Sequence, residues 1–82
     1  MKIRVTQDCI DAAEGIRGSA TAAQVCPIAI ALRVTGFDVN AVGCYWITTS
    51  EGDFGTPAKA SEFIERFDAR YPVRPFTFEL AL

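Results

Sequence analysis

The stretch Phe37-Asp38-Val39-Asn40-Ala41-Val42-Gly43-Cys44-Tyr45-Trp46-Ile47-Thr48-Thr49-Ser50-Glu51-Gly52-Asp53-Phe54 decides the fold. Its first part is rich in β-branched and aromatic residues, which suit a pleated, half-buried surface. Ser50-Glu51-Gly52-Asp53 then supplies the residue types of a tight turn. The spacing predicts one long strand over 37–49, bulged at Gly43, that returns through a hairpin into a short strand near Phe54. A hairpin at the middle of the chain demands antiparallel pairing there. Tyr45 and Trp46 are adjacent, so on a strand they point to opposite faces. One is expected in the core and the other at the surface as a partner anchor; the alternation over 39–47 does not say which.

On the N-terminal side, Ile3 and Val5 flank Arg4 in a short alternating run that reads as a strand. Thr6 stands as an N-cap, with Asp8 and Asp11 in the turns where a helix dipole favours acids. Cys9, Ile10, Ala13 and Ile16 keep helical spacing and Gly18 is a C-terminal stop, so a helix is expected over about 7–17. Thr21 and Gln24 match a capping box for a loose turn from Ala22. The main helix then runs from Pro27 to Val34, because proline belongs in a first turn. Ile28 to Leu32 are apolar on every side, which makes this helix the buried centre. Gly36 ends it.

On the C-terminal side, Thr56-Pro57 reads as an N-cap followed by proline at the first helical position. Ala60, Phe63, Ile64 and Phe67 form one apolar stripe, and Glu62 and Arg66 are four apart in the favourable order. The helix stops before Pro72. Phe76, Phe78 and Leu80 alternate with Thr77 and Glu79 as a last strand. The expected architecture is a single α+β domain over residues 1–82, with element order β-α-α-β-β-α-β. One small, mostly antiparallel sheet of about four strands would carry three helices on one face.

The chain has 82 residues, half of them apolar, 22% charged, with six Phe, two Tyr and one Trp, so it is long enough to close one core. Eight basic and ten acidic residues give a net charge of −2. That balance argues against direct binding of nucleic acid backbones. The longest apolar stretch, Val25 to Leu32, is broken by Pro27 and falls far short of the roughly 20 residues of a membrane span. No apolar run follows Lys2 and Arg4, so the start is not read as a signal peptide. A soluble, cytoplasmic protein is expected.

Several chemistries are excluded at this level. There is no histidine, and Cys9, Cys26 and Cys44 are widely spaced without a C-x-x-C pair, so no metal site is expected. They read as reduced thiols acting as small core residues. Cys26 before Pro27 stands at a helix start, where a thiolate could be stabilised, but a buried thiol is the simpler reading. Lys2 and Lys59 have no signature near a cysteine. The pairs Asp8/Asp11 and Glu62/Glu65 lie on polar helix faces, where carboxylates are ordinarily solvated. No glycine-rich phosphate loop occurs. Catalysis and cofactors are not expected.

Charge placement is more informative than its total. Residues 38–56 carry Asp38, Glu51 and Asp53 and nothing basic. Were the helix face with Asp8, Asp11 and Glu14 to lie near the hairpin tip, six carboxylates would make one negative surface. Such a surface complements a basic groove normally filled by nucleic acid.

Cys26-Pro27-Ile28-Ala29-Ile30-Ala31-Leu32, Phe67-Asp68 and Pro75-Phe76-Thr77-Phe78-Glu79-Leu80 give the chain its family resemblance. It resembles short phage and prophage proteins with a C-P-x-A-x-A-L helix and a P-F-x-F-x-L end. The resemblance spans most of the chain, and its motifs transfer a fold and not an active site. In size and acidity the chain is similar to anti-CRISPR inhibitors of type I systems, type I-C among them. What this implies is non-catalytic binding to a CRISPR effector subunit in the infected host, occupying a basic surface that target DNA would use. A net charge of −2 is mild beside strongly acidic DNA mimics, so the implied device is a local acidic patch. Two other functions fit the composition. One is a sponge for a nucleotide signal, with Arg17, Arg33, Arg70, Arg74 and Trp46 lining an inter-subunit pocket. The other is a structural or housekeeping phage protein.

Overall fold

The structure is a computed structural model that describes residues 1–16 and 26–80. Ile3 and Val5 are buried and Lys2 and Arg4 exposed along β1 (Lys2–Val5), as its alternation requires. β1 pairs antiparallel with the last strand, and Ile3 lies opposite Phe78 and Val5 opposite Phe76. The Met1 ammonium donates to the Leu80 carbonyl at 2.9 Å, and the Leu80 N–H donates back to the Met1 carbonyl at 2.8 Å. The two ends of the described chain are thereby tied together.

Thr6 caps α1 (Gln7–Ala13), its hydroxyl oxygen accepting from the Cys9 N–H at 3.3 Å. α1 is shorter than expected, because the backbone tightens into a 3-10 turn over Glu14–Ile16. Arg17, Gly18, Thr21 and Gln24, and the stop and capping box read from them, lie outside the described residues. α2 (Pro27–Thr35) begins at the expected proline and buries Pro27, Ile28, Ala29, Ala31 and Leu32. It packs against α1, β1 and β2 (Val39–Val42) and is the centre of the core.

The long strand expected over 37–49 is instead two. β2 and β3 (Trp46–Thr49) pair antiparallel around a turn at 43–45, closed by the Gly43 N–H donating to the Trp46 carbonyl at 2.8 Å. β3 then pairs with β4 (Gly52–Gly55) through a turn at Ser50-Glu51, tighter than the expected Ser50-Glu51-Gly52-Asp53, because Gly52 and Asp53 already belong to β4. The bulge is at Asn40, not Gly43: the register shifts between Val39 and Ala41. Val39 and Val42 are three apart and would face opposite sides of a regular strand. The extra residue lets both point inward, where both are buried.

α3 (Ala58–Asp68) buries the predicted stripe of Ala60, Phe63, Ile64 and Phe67. Thr56 does not cap it. Pro57 takes the cap position with an extended ψ of 152°, and the Thr56 hydroxyl donates to the Gly43 carbonyl at 2.7 Å instead. β5 (Phe76–Glu79) follows. Among the described residues the architecture is α+β with three α-helices and five strands. The strands form two antiparallel sheets, β1-β5 and β2-β3-β4, in place of the single sheet expected. β4 is a poor site for extending the meander, since Gly52 and Gly55 offer no side chains to pack and Asp53 charges the edge. β1 and β5 pair with each other, and α2 packs against a strand of each sheet. No helix of the described residues is long and apolar enough to cross a membrane.

α2 ends in a left-handed cap at Gly36 (φ 116°), with the Phe37 N–H reaching back to the Leu32 carbonyl at 3.0 Å. A Cβ there would meet no atom within 4 Å, so the penalty of a side chain is one of backbone conformation alone. Gly36→Ala is expected to lower stability by about 1–2 kcal/mol, with the fold retained, as read by chemical denaturation. An unchanged midpoint would show that the cap does not limit α2.

Candidate functional site

The outer face of the β2-β3-β4 meander is built by its register. Ile47 and Thr49 face inward and are buried, so Trp46 and Thr48 face outward. Directly opposite Trp46 on β4 is Gly55, and opposite Thr48 is Asp53. Across β2, Ala41 lies opposite Thr48. Residues directly opposite share a face, so Asp53 stands diagonal to Trp46 on one surface. Gly55 has no side chain to cover the indole, and Trp46 is 62% exposed.

Tyr45 lies in the preceding turn and is 81% exposed. The expectation that one of the two aromatics is buried is therefore corrected. The break at 43–45 takes Tyr45 out of the strand, so the opposite-faces rule for neighbours does not apply to it. Its backbone is held in place, because the Thr56 N–H donates to the Tyr45 carbonyl at 2.9 Å.

At the other end of the same meander stand the remaining acids. The Asp38 carbonyl accepts from the Ser50 N–H at 2.9 Å, which sets Asp38 beside the second turn. The buried Thr49 hydroxyl donates to the Gly52 carbonyl at 3.0 Å and accepts from the Glu51 N–H at 3.1 Å. Gly52 takes φ 128°, which lets the turn close. Asp38, Glu51 and Asp53 are all exposed, and the meander brings them together. Asp8 and Asp11 are exposed on α1, where Asp11 accepts from the Gln7 amide at 2.9 Å, and Glu14 is exposed at the start of the 3-10 turn that follows. α1 and β2 both pack on α2, which is the connection between the two groups of three.

The arginines considered for a nucleotide pocket are spread over the molecule. Arg33 donates to the Val39 carbonyl at 2.9 Å, and Arg70 is the left-handed residue (φ 66°) after α3. Arg74 lines a cleft beside α3, and Trp46 is on the meander. Lys59, Arg66 and Tyr71 join Arg74 in that cleft. Sequence reading passed over them. The available signal was the rigid Pro72-Val73-Arg74-Pro75 segment following an amphipathic helix.

The thiols show what the start of α2 does chemically. Cys26 precedes Pro27 as the N-cap residue, where backbone N–H groups of Ala29 and Ile28 favour a thiolate. Burial outweighs them and pushes the Cys26 thiol up from its ordinary value. Cys9 is also buried and Cys44 is half-buried. Among the described residues, no three His, Cys, Asp or Glu side chains are grouped to hold a metal ion. In comparisons with known proteins, no family model, no curated protein and no solved structure matches the chain.

With a raised thiol value in the folded state, Cys26 stays neutral where the unfolded thiol would ionise. Stability from this group is present below the ordinary thiol value and is lost as pH rises past it. A thiol-reactive dye at mildly alkaline pH should label Cys44 first, and Cys26 and Cys9 only on unfolding. Prompt labelling of Cys26 in the native protein would contradict this.

Proposed function

We propose that the protein is a non-catalytic inhibitor of phage type, an anti-CRISPR protein acting in the cytoplasm of the infected bacterium. It binds a basic, nucleic-acid-binding surface of a type I surveillance complex, type I-C being the first to test, and blocks target DNA. The observation that carries this reading is the meander's outer face. Trp46 and Asp53 share it, exposed Tyr45 stands in the turn at one end and exposed Asp38 and Glu51 stand by the turn at the other, in a segment without a single cation.

Arginine-rich grooves fit such a face in two ways. Carboxylates pair with guanidinium groups in two-pronged hydrogen bonds, and indole and phenol rings take cations on their faces. Asp8 and Asp11 on α1 and Glu14 just after it widen the negative field and speed encounter. The absence of histidine and the neutral, buried Cys26 support a role in binding over one in catalysis.

The test is plaquing of a CRISPR-targeted phage on cells expressing the protein, across several CRISPR types, with a tagged pull-down from the same cells. Wild type should restore plaquing in a type I system and recover effector subunits. Trp46→Ala should weaken binding by about thirtyfold or more, the scale of a central interface aromatic. Reversal of Asp38, Glu51 and Asp53 to Lys should abolish rescue with circular dichroism unchanged. Reversal of Asp8, Asp11 and Glu14 should slow association. Full inhibition by the reversed hairpin variant, or no rescue in any type, would overturn the proposal.

A further inference from the structure

The cleft beside α3 has the opposite character to the meander. α3 ends in a left-handed turn at Arg70, with the Arg70 N–H donating to the Phe67 carbonyl at 3.1 Å and the Tyr71 N–H to the Arg66 carbonyl at 2.9 Å. The turn reverses the chain, and Pro72 and Pro75 stiffen the segment that leads into β5. Between α3 and this segment lies a cleft of about 780 Å³, within the size range of small-molecule sites. Phe63 and Phe76 wall it, stacked with ring centroids 4.8 Å apart. Phe63 is buried and Phe76 half-buried, so the aromatic wall is anchored in the core.

Lys59 and Arg66 line the cleft from the helix, seven residues and about 10.5 Å apart. Arg74 faces it from the other side. Against these three cations the lining holds one carboxylate, Glu62, which is 3.9 Å from the Arg66 Nε. Both partners of that pair are mostly exposed, and the lining still carries three cations against one carboxylate. Arg74 has no hydrogen-bond or ionic partner among the described residues. A local excess of positive charge thus sits on a chain whose net charge is −2. The chain reverses at Tyr71 beside the cleft, and the Lys59 Nζ donates to the Thr77 carbonyl at 3.0 Å.

We propose that this cleft binds a small aromatic anion, the chemical class of a nucleoside monophosphate. The ring stacks against the Tyr71 and Phe76 side, where aromatic groups attract aromatic faces. The anionic group is held by Arg66 and Arg74, whose planar forks match phosphate oxygens. This site is independent of the acidic meander and stands whether or not the inhibitor reading does.

The experiment is titration of the full-length protein with AMP, followed by calorimetry and by backbone and aromatic NMR shifts, with adenosine and inorganic phosphate as parallel probes. AMP should shift Phe63, Tyr71, Val73 and Phe76, and bind more tightly than either fragment. Arg74→Ala should weaken AMP binding by about tenfold, the effect of one charge-assisted pair, with an unchanged circular dichroism spectrum. Arg74→Lys should restore part of the loss. The proposal is overturned by absence of shifts at millimolar AMP, by inorganic phosphate matching AMP, by Arg74→Ala binding as wild type does, or by a glutamate-rich peptide binding the cleft more tightly than AMP. Plaquing by Arg74→Ala should match wild type, which separates this site from the inhibitor face.

Discussion

α2 must be covered from several directions, and the rest of the structure follows from that. Pro27, Ile28, Ala29, Ala31 and Leu32 are buried, and Ile30 is half-buried against the core. A helix without a polar face over its first turns can sit against water on no side. One sheet would have screened one flank. α1, β1 and β2 screen it from different directions, and the sheet is divided accordingly. The strands are four residues each, and a pair of such strands is marginal alone. β1-β5 and the meander are held because each lays buried residues into the common core.

What could be read in the sequence was local. Pro27 and Gly36 bound α2 because their backbone preferences are intrinsic, and the stripe from Ala60 to Phe67 lies on one helix face by spacing alone. β1 and β5 declared themselves by alternation. Their pairing did not, since it joins residues at opposite ends of the chain and no local rule encodes a partner so distant. Residues 37–49 were misread as one strand for a related reason. β-branched composition records a half-buried surface and is indifferent to where the chain turns. Asn40 supplied the bulge unannounced, because its effect shows only in which valines end up inside. Thr56 had two uses for its hydroxyl, and the Gly43 carbonyl across the first turn was invisible from its own neighbours.

The candidate site was legible in part for the same reasons. The acids were visible, and so was the absence of cations from residues 38–56, while the Arg33 guanidinium that reaches the Val39 carbonyl comes from α2. The exposure of both Tyr45 and Trp46 was not, because it depends on the turn at 43–45 and on the lack of a side chain at Gly55, two features that must be placed before their effect is known. The cleft beside α3 is a step further from the sequence. Lys59 and Arg66 are ordinary helix-surface cations until the chain reverses after Arg70 and brings Arg74 to face them.

A net charge of −2 conceals two surfaces of opposite sign. The fold separates them by gathering the meander's acids around its second turn and the cleft's cations on α3 and the segment after it, so each surface has a potential that the total does not describe. Both surfaces stand on groups that are held in place. The Tyr45 backbone is fixed by Thr56, Glu51 by the buried Thr49 hydroxyl, and Phe63 and Phe76 by the aromatic packing that continues to Phe67 and Phe78. Groups already held in place lose little further freedom when a partner arrives. An exposed indole on a floppy loop would be an aggregation hazard with weak affinity. Here the indole stands on a paired strand beside a carboxylate, and the proposed partner surface is cationic, which a second copy of the same acidic face would not supply.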